Sequence, residues 1–316
     1  MSTSGSGGED FLLHREISAA GGSASAFPRN LSVYRPSGKA ALTNALYVHK
    51  FQVNTISWDA KIEGMTNDSI HIRDPGGGEN PIALRVIQAK FCIVPQRPVA
   101  MIVVATVSGV LIFEHGQGHV PAVYYPLKKA EDQGGVVDLS FDGAELMVSA
   151  HLDGVLLLWS RGDSAIKNTG KISTGHDICL VSAYKNFIFC ASVHGDIHIF
   201  DGKAGRLVAE ANAHARPITA LEVSPDGLVL SVPFLDAFIR VWNLFIKPGA
   251  EQSFEMTLRW WCVLDNGYVA GGTWLPPLEE GGKVKDSRRP FAVTVFDSPS
   301  IFLFRPGPSS DRPKTK

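Results

Sequence analysis

Six β-rich stretches each end on an aromatic residue, usually followed by a small polar one. They are Trp58-Asp59, Phe113-Glu114, Trp159-Ser160, Phe200-Asp201, Trp242-Asn243 and Phe296-Asp297. The aromatic residues stand 55, 46, 41, 42 and 54 residues apart. No other feature constrains the fold as strongly, because a repeated unit must bury its apolar faces against its neighbouring copies. Three of the spacings lie at or near the about 40–45 residues that one four-stranded repeat occupies. The two long ones hold insertions, one marked by Gly76-Gly77-Gly78 and the other running from Leu278 to Pro290.

The interior of each unit supports the same division. In the third, strands are expected over Val136 to Phe141, Glu145 to Ala150 and Val155 to Trp159, with turns at Asp142-Gly143 and Asp153-Gly154. Asx-Gly pairs between apolar runs are the strongest short hairpin signal. The fourth unit reads as Ile178 to Ala183, Phe187 to Ser192 and Gly195 to Phe200. The fifth reads as Ile218 to Val223, Leu228 to Val232 and Ala237 to Trp242. Runs such as Ile102-Val103-Val104-Ala105 and Leu156-Leu157-Leu158 alternate poorly, as strands covered on both faces do. No extended helical period is present, which excludes a doubly wound α/β fold. The expected fold is all-β, a β-propeller of six units, with Phe11–Ile17 as the outermost strand of the last blade beside Phe291–Phe296 or its neighbour.

Composition narrows the setting. Thirty basic and thirty-one acidic side chains leave a formal charge of −1, so no bulk field attracts nucleic acid or an anionic membrane. The longest apolar run, Val99 to Val107, is far shorter than the about 20 residues of a membrane span. Met1 to Asp10 is Ser/Gly-rich and lacks the apolar core of a secretory signal. Cys92, Cys179, Cys190 and Cys262 contain no C-x-x-C pair and read as reduced thiols. These features point to the cytoplasm, with the ciliary or flagellar interior as a second address. Residues 1–10 and 305–316 are expected to be disordered tails around one propeller domain, 11–304.

An Asp sits six residues before a closing Trp at Asp153 and Trp159, and again at Asp236 and Trp242; Gly175-His176 and Ala213-His214 precede two of the units. In these residues the chain resembles the WD-repeat family. Three further stretches, Asn30 to Val33, Asn212 to Arg216 and Phe291 to Thr294, are similar in order to segments of one member of that family. The resemblance implies a network in which the His, the turn Asp and the Trp join a hydroxyl residue inside the blade. Only the fifth unit keeps His214, Asp236 and Trp242 together; the fourth has His194 and Phe200 in the Asp and Trp positions. The family pattern has seven units, and the missing one would fall between Phe113 and His176.

Glu131-Asp132 and Glu279-Glu280 read as solvated loop charge, because a catalytic pair needs burial or coupling. His194, Asp196 and His198 alternate along one strand but lack an evident fourth ligand, so no metal site is expected. Gly76-Gly77-Gly78 lacks the Lys-Ser/Thr and strand-to-helix setting of a phosphate loop. No G-x-S-x-G nucleophile elbow occurs. Trp260-Trp261 reads as core, and Arg305-Pro306-Gly307-Pro308 as a chain end rather than a polyproline ligand. No catalytic residue and no cofactor are expected. His214, Asp236, Trp242, Asp153 and Trp159 are expected to be structural.

The resemblance implies a scaffold that holds other proteins on its top rim, near the turn Asp of each repeat. The residues expected there are His151 and Leu152, Val193, Phe234 and Leu235, with Arg216 on the same side. Phe234 and Leu235 offer apolar contact, and Arg216 a bidentate contact to an acidic partner. A structural subunit of a ciliary or flagellar assembly is the alternative, and a propeller enzyme a remote one. Oligomeric state is open.

Overall fold

The computed structural model describes residues 3–4, 10–19, 21–36, 42–76, 78, 81–93, 99–106, 108–126, 136–142, 146–161, 166–236, 238–247, 253–264, 267–277, 279–280, 283–284 and 288–307. Two N-terminal strands, β1 (Thr3–Ser4) and β2 (Phe11–Ser18), join sheets formed further along the chain. The first sheet is β3 (Ser32–Tyr34), β4 (Thr43–His49), β5 (Gln52–Trp58) and β6 (Thr66–His71). The second is β7 (Val86–Cys92), β8 (Met101–Thr106), β9 (Gly109–Glu114) and β10 (Val123–Pro126). The third is β11 (Val136–Asp142), β12 (Leu146–His151), β13 (Val155–Arg161) and β14 (Ile166–Ser173). The fourth is β15 (Ile178–Tyr184), β16 (Phe187–Ser192), β17 (Asp196–Asp201) and β18 (Arg206–Asn212). The fifth is β19 (Ile218–Val223), β20 (Leu228–Pro233), β21 (Phe238–Lys247) and β22 (Ser253–Leu264), with β1 on its outer edge. The sixth begins with β23 (Tyr268–Trp274). A short hairpin of β24 (Glu279–Glu280) and β25 (Lys283–Val284) follows. The sheet is completed by β26 (Phe291–Phe296), β27 (Ser300–Pro306) and β2.

Five four-strand meanders are therefore present among the described residues, and a sixth sheet, of β23, β26 and β27, is closed by β2. The stretch from Phe113 to His176, where a seventh would fall, holds β10 and the third sheet. Strands expected in the third to fifth units are present as β11–β13, β15–β17 and β19–β21. Phe11–Ile17 forms the outer strand of the sixth sheet, with Ile17 opposite Ile301 and Leu13 opposite Phe304. No helix occurs among the described residues, and none is long and apolar enough to cross a membrane. Arg305 and Pro306, expected in the tail, finish β27, and Thr3 and Ser4 pair with Leu264 and Val263. Glu279 and Glu280, expected in a loop, form one side of the small hairpin; Glu131 and Asp132 lie outside the described residues.

One expected unit ending is corrected. In the third, fourth and fifth sheets the third strand pairs with the fourth through a register shift at the closing aromatic: Leu158/Trp159, Ile199/Phe200 and Val241/Trp242. In the sixth sheet the same shift falls at Leu303/Phe304, opposite Arg15 and Leu13. Phe304, 1% exposed, is thus the counterpart of Trp242, while Phe296, 39% exposed, ends a second strand. The sequence period misleads here because the Leu278–Pro290 insertion lies inside the sheet, between its first and second strands.

The described residues fall into two compact units, one centred on residues 132–269 and the other on 11–131 with 270–309. The first holds the third to fifth sheets, packed through Val148, Leu156, Ile188 and Cys190 on one side and Leu180, Phe189, Ile197 and Leu221 on the other. In the second, Ile17, Tyr47, Ile56 and Ile301 form one core and Leu46, Val86, Ile102 and Phe113 another. First strands of adjacent sheets are tied by side chains that accept backbone N–H groups. Asp138 accepts from Val181 at 2.8 Å, Ser140 from Ala183 at 3.0 Å and Ser182 from Val223 at 3.3 Å. In the other unit Ser32 accepts from Phe91 at 3.1 Å. A first strand has a free inner edge, and these acceptors satisfy N–H groups that burial would otherwise leave bare. Trp260 is buried, and the adjacent Trp261 leans on Phe238 at 5.5 Å. No disulfide joins Cys92, Cys179, Cys190 or Cys262.

Candidate functional site: one edge of the third to fifth sheets

Part of the network expected in the fifth unit is present, with Ser231 as its hydroxyl residue. Ser231 Oγ lies 2.8 Å from His214 Nε2 and accepts the Trp242 indole N–H at 2.8 Å. Asp236 accepts the Phe238 N–H at 3.0 Å and stands 3.8 Å from His214 Nδ1, beyond hydrogen-bond reach. Arg240 fills that interval. Its guanidinium donates to the Ala213 carbonyl at 2.7 Å and to His214 Nδ1. With Nδ1 accepting, Nε2 carries the proton and donates to Ser231, so the imidazole is neutral.

The ionisation directions agree. Burial holds the His214 pKa below 6.5, with Arg240 adding to the depression and Asp236 opposing it. Burial alone would raise the Asp236 carboxyl, but contacts with His214, Phe238 and Arg240 outweigh it and hold it low. His214→Ala leaves Ser231 and Arg240 each short of a partner, and is expected to cost about 1–3 kcal/mol in denaturant unfolding. The wild type also loses stability as pH falls below 6.5, because the unfolded chain takes up a proton that folded His214 refuses. His214→Gln reduces that slope; an unchanged slope would show that His214 does not supply it.

The third sheet builds a reduced version. Trp159 Nε1 donates to Ser149 Oγ at 2.9 Å, and His151 Nε2 lies 3.1 Å from the same oxygen. Asp153 is exposed and accepts the Val155 N–H at 3.2 Å. This corrects the rim assignment of His151, which is 8% exposed. Ser149 and His151 are two residues apart on one strand, so their side chains share one face of the sheet, and both are buried there. In each sheet the hub serine sits ten or eleven residues before its Trp, a spacing that was available in the sequence.

In the fourth sheet Phe200 offers no indole N–H. Ser192 Oγ instead accepts the N–H groups of His194 and Asp196, both at 3.1 Å. His176 lies against His198, ring centroids 3.8 Å apart at 18°. Burial, then His176, push the His198 pKa down, with Glu210 and Asp196 opposing.

The turns between second and third strands share one edge with the loops that lead into the next sheet. Thr174 N–H donates to the Gly154 carbonyl, His214 N–H to Gly195, Val193 N–H to Asp177 and Phe234 N–H to Pro217. Gly154 and Gly195 have φ of +73° and +98°, and a Cβ on either would lie 2.4 Å from the carbonyl oxygen of His176 or 2.2 Å from that of His214. These glycines let turn and loop press together. Leu152 (68% exposed), Val193 and Leu235 (51%) project from the three turns, and Arg216 is exposed beside them. Phe234 is half-buried, stacked on exposed Tyr268 at 5.6 Å and 29°. Tyr268 was not anticipated, since it belongs to the start of the following strand.

Six sheets in series among the described residues, four of them bulged at a closing aromatic and two carrying a His–Ser–Trp network, have the build of a six-bladed WD-repeat β-propeller. The family model described as WDR54 matches residues 139–273. The chain is similar to WD repeat-containing protein 54 of Mus musculus, 28% identical over 233 residues that cover 69% of this chain and 64% of that one. The chain thus spans just under two thirds of the curated relatives' length. Striatin-3 of Rattus norvegicus is 30% identical over 100 residues, 31% of this chain and 12% of its own. Among solved structures, a chain of the "Crystal Structure of Mitotic Checkpoint Complex" superposes with a TM-score of 0.54 at 11% identity, covering 94% of this chain and 92% of that one. That likeness concerns fold alone.

Proposed function

We propose that the chain is a non-catalytic scaffold that holds a partner protein on the turn edge of its third, fourth and fifth sheets. One observation carries this reading. Three successive turns each present a bare aliphatic side chain on the same edge, Leu152, Val193 and Leu235, continued by the Phe234–Tyr268 stack. A turn gains nothing from exposing such residues unless something covers them, and clustered exposed apolar side chains mark interfaces. Arg216 adds a forked cation suited to a carboxylate of the partner. The serine-centred networks beneath keep the turns rigid, so little order is lost on docking.

The test is affinity capture from a cell extract with wild type, Leu235→Asp and Arg216→Glu, quantified by mass spectrometry, with circular dichroism as the folding control. Specific partners are expected to fall at least tenfold with Leu235→Asp and severalfold with Arg216→Glu. Equal recovery from all three folded proteins would place the contact elsewhere.

A further inference from the structure

Asp196, His198 and Glu210 form a second constellation, beside the fourth-sheet turn. Asp196 and His198 are two residues apart on β17 and so share a face. Glu210 on β18 is the cross-strand partner of His198. One ligand atom from each lies within 4.8 Å of the other two, and His198 Nδ1 is 4.0 Å from Glu210 Oε2.

His198 sets this cluster apart from ordinary surface acids. It is 1% exposed, and neither ring nitrogen has a hydrogen-bond partner among the described residues. Buried polar atoms are nearly always satisfied, so two bare nitrogens on one ring point to an absent ligand. The stacked ring of His176 fixes the imidazole plane. Glu210 is half exposed, which leaves its carboxylate free to swing and opens the site to water.

We propose that Asp196, His198 and Glu210 bind a single Zn²⁺ ion, with water in the remaining position. Imidazole nitrogen and carboxylate oxygen are both ligands that Zn²⁺ takes, and an imidazole ligand disfavours Ca²⁺ and Mg²⁺. Tetrahedral bonds of about 2.0–2.2 Å put ligand atoms roughly 3.4 Å apart, so the cluster contracts by about an ångström on loading. Glu210 supplies most of that movement. The sequence shows no sign of a metal because His194, Asp196 and His198 lack an evident fourth ligand; in the fold His194 sits in the turn, and Glu210 reaches the site from the next strand.

Isothermal titration calorimetry of the EDTA-treated chain with Zn²⁺ tests the assignment. Wild type is expected to bind one ion with a Kd below about 100 μM. Glu210→Gln and Asp196→Asn each weaken binding at least tenfold while retaining the wild-type circular dichroism spectrum. His119→Ala, which removes an exposed histidine beside Asp68, leaves the affinity unchanged. A wild type that shows no binding tighter than about 100 μM, or carboxylate variants that bind as tightly as wild type, would overturn the proposal.

Discussion

A chain lacking residues 1–18 is expected to lose its cooperative melting transition. β2 supplies the whole outer strand of the sixth sheet, paired with β27 from Phe11 opposite Pro306 to Ser18 opposite Ser300. It also buries Ile17 completely and sets Phe11 between Trp274 and Phe291, at ring distances of 6.2 and 5.3 Å. Removing one buried Phe and one buried Ile costs about 3–5 and 2–5 kcal/mol when each is only truncated to alanine. Their sum approaches the 5–15 kcal/mol stability of an ordinary domain. The deletion also bares β27 as a long apolar edge, a template for aggregation. Differential scanning calorimetry with light scattering reads both effects. A transition at the wild-type temperature, without scattering, would show that β2 is dispensable.

The second large effect belongs to a single methyl group. Gly195→Ala is expected to cost roughly 3–5 kcal/mol, because backbone strain at φ +98° adds to a Cβ placed 2.2 Å from the His214 carbonyl oxygen and 2.8 Å from that of Arg216. Either the turn or the loop must move, and the loop carries both His214 and Arg216. Gly205→Ala provides the comparison. Its φ of +65° is also left-handed, but the nearest atom to its Cβ is Ile172 Cγ1 at 3.7 Å, so about 1–2 kcal/mol is expected. Urea unfolding of the two variants separates strain from collision. Equal losses would mean that the loop yields freely and that the edge is soft.

The two cases also show what a one-dimensional pattern carries. Strand and turn positions in the third and fifth sheets were legible because Asx-Gly pairs and Ser224-Pro225-Asp226-Gly227 punctuate them with residues whose backbone preferences are local. The closing strand was legible because Phe11–Ile17 is an apolar run with no place in the other units. Phe296 misled because an insertion displaced the true closing aromatic, Phe304, and spacing alone cannot register a strand. His151 was placed on the rim by its distance from Asp153, yet strand alternation turns it toward Ser149 and turns Leu152 outward. The remaining misses are contacts between strands: Arg240 with His214, Tyr268 with Phe234, and Glu210 across from His198. None has a fixed spacing along the chain, because each is set by sheet register and turn packing.

Site-specific photo-crosslinking tests the proposed edge most directly. A photoreactive side chain is placed at Leu235 or Leu152 on the turn edge, and at Lys185 or Lys203 in the turns at the other ends of the fourth-sheet strands. All four positions are exposed, so each tolerates the replacement. The account predicts adducts with the same partner protein at Leu235 and Leu152, and none at Lys185 or Lys203. Adducts that form at Lys185 and Lys203 but not at Leu235 and Leu152 would contradict it.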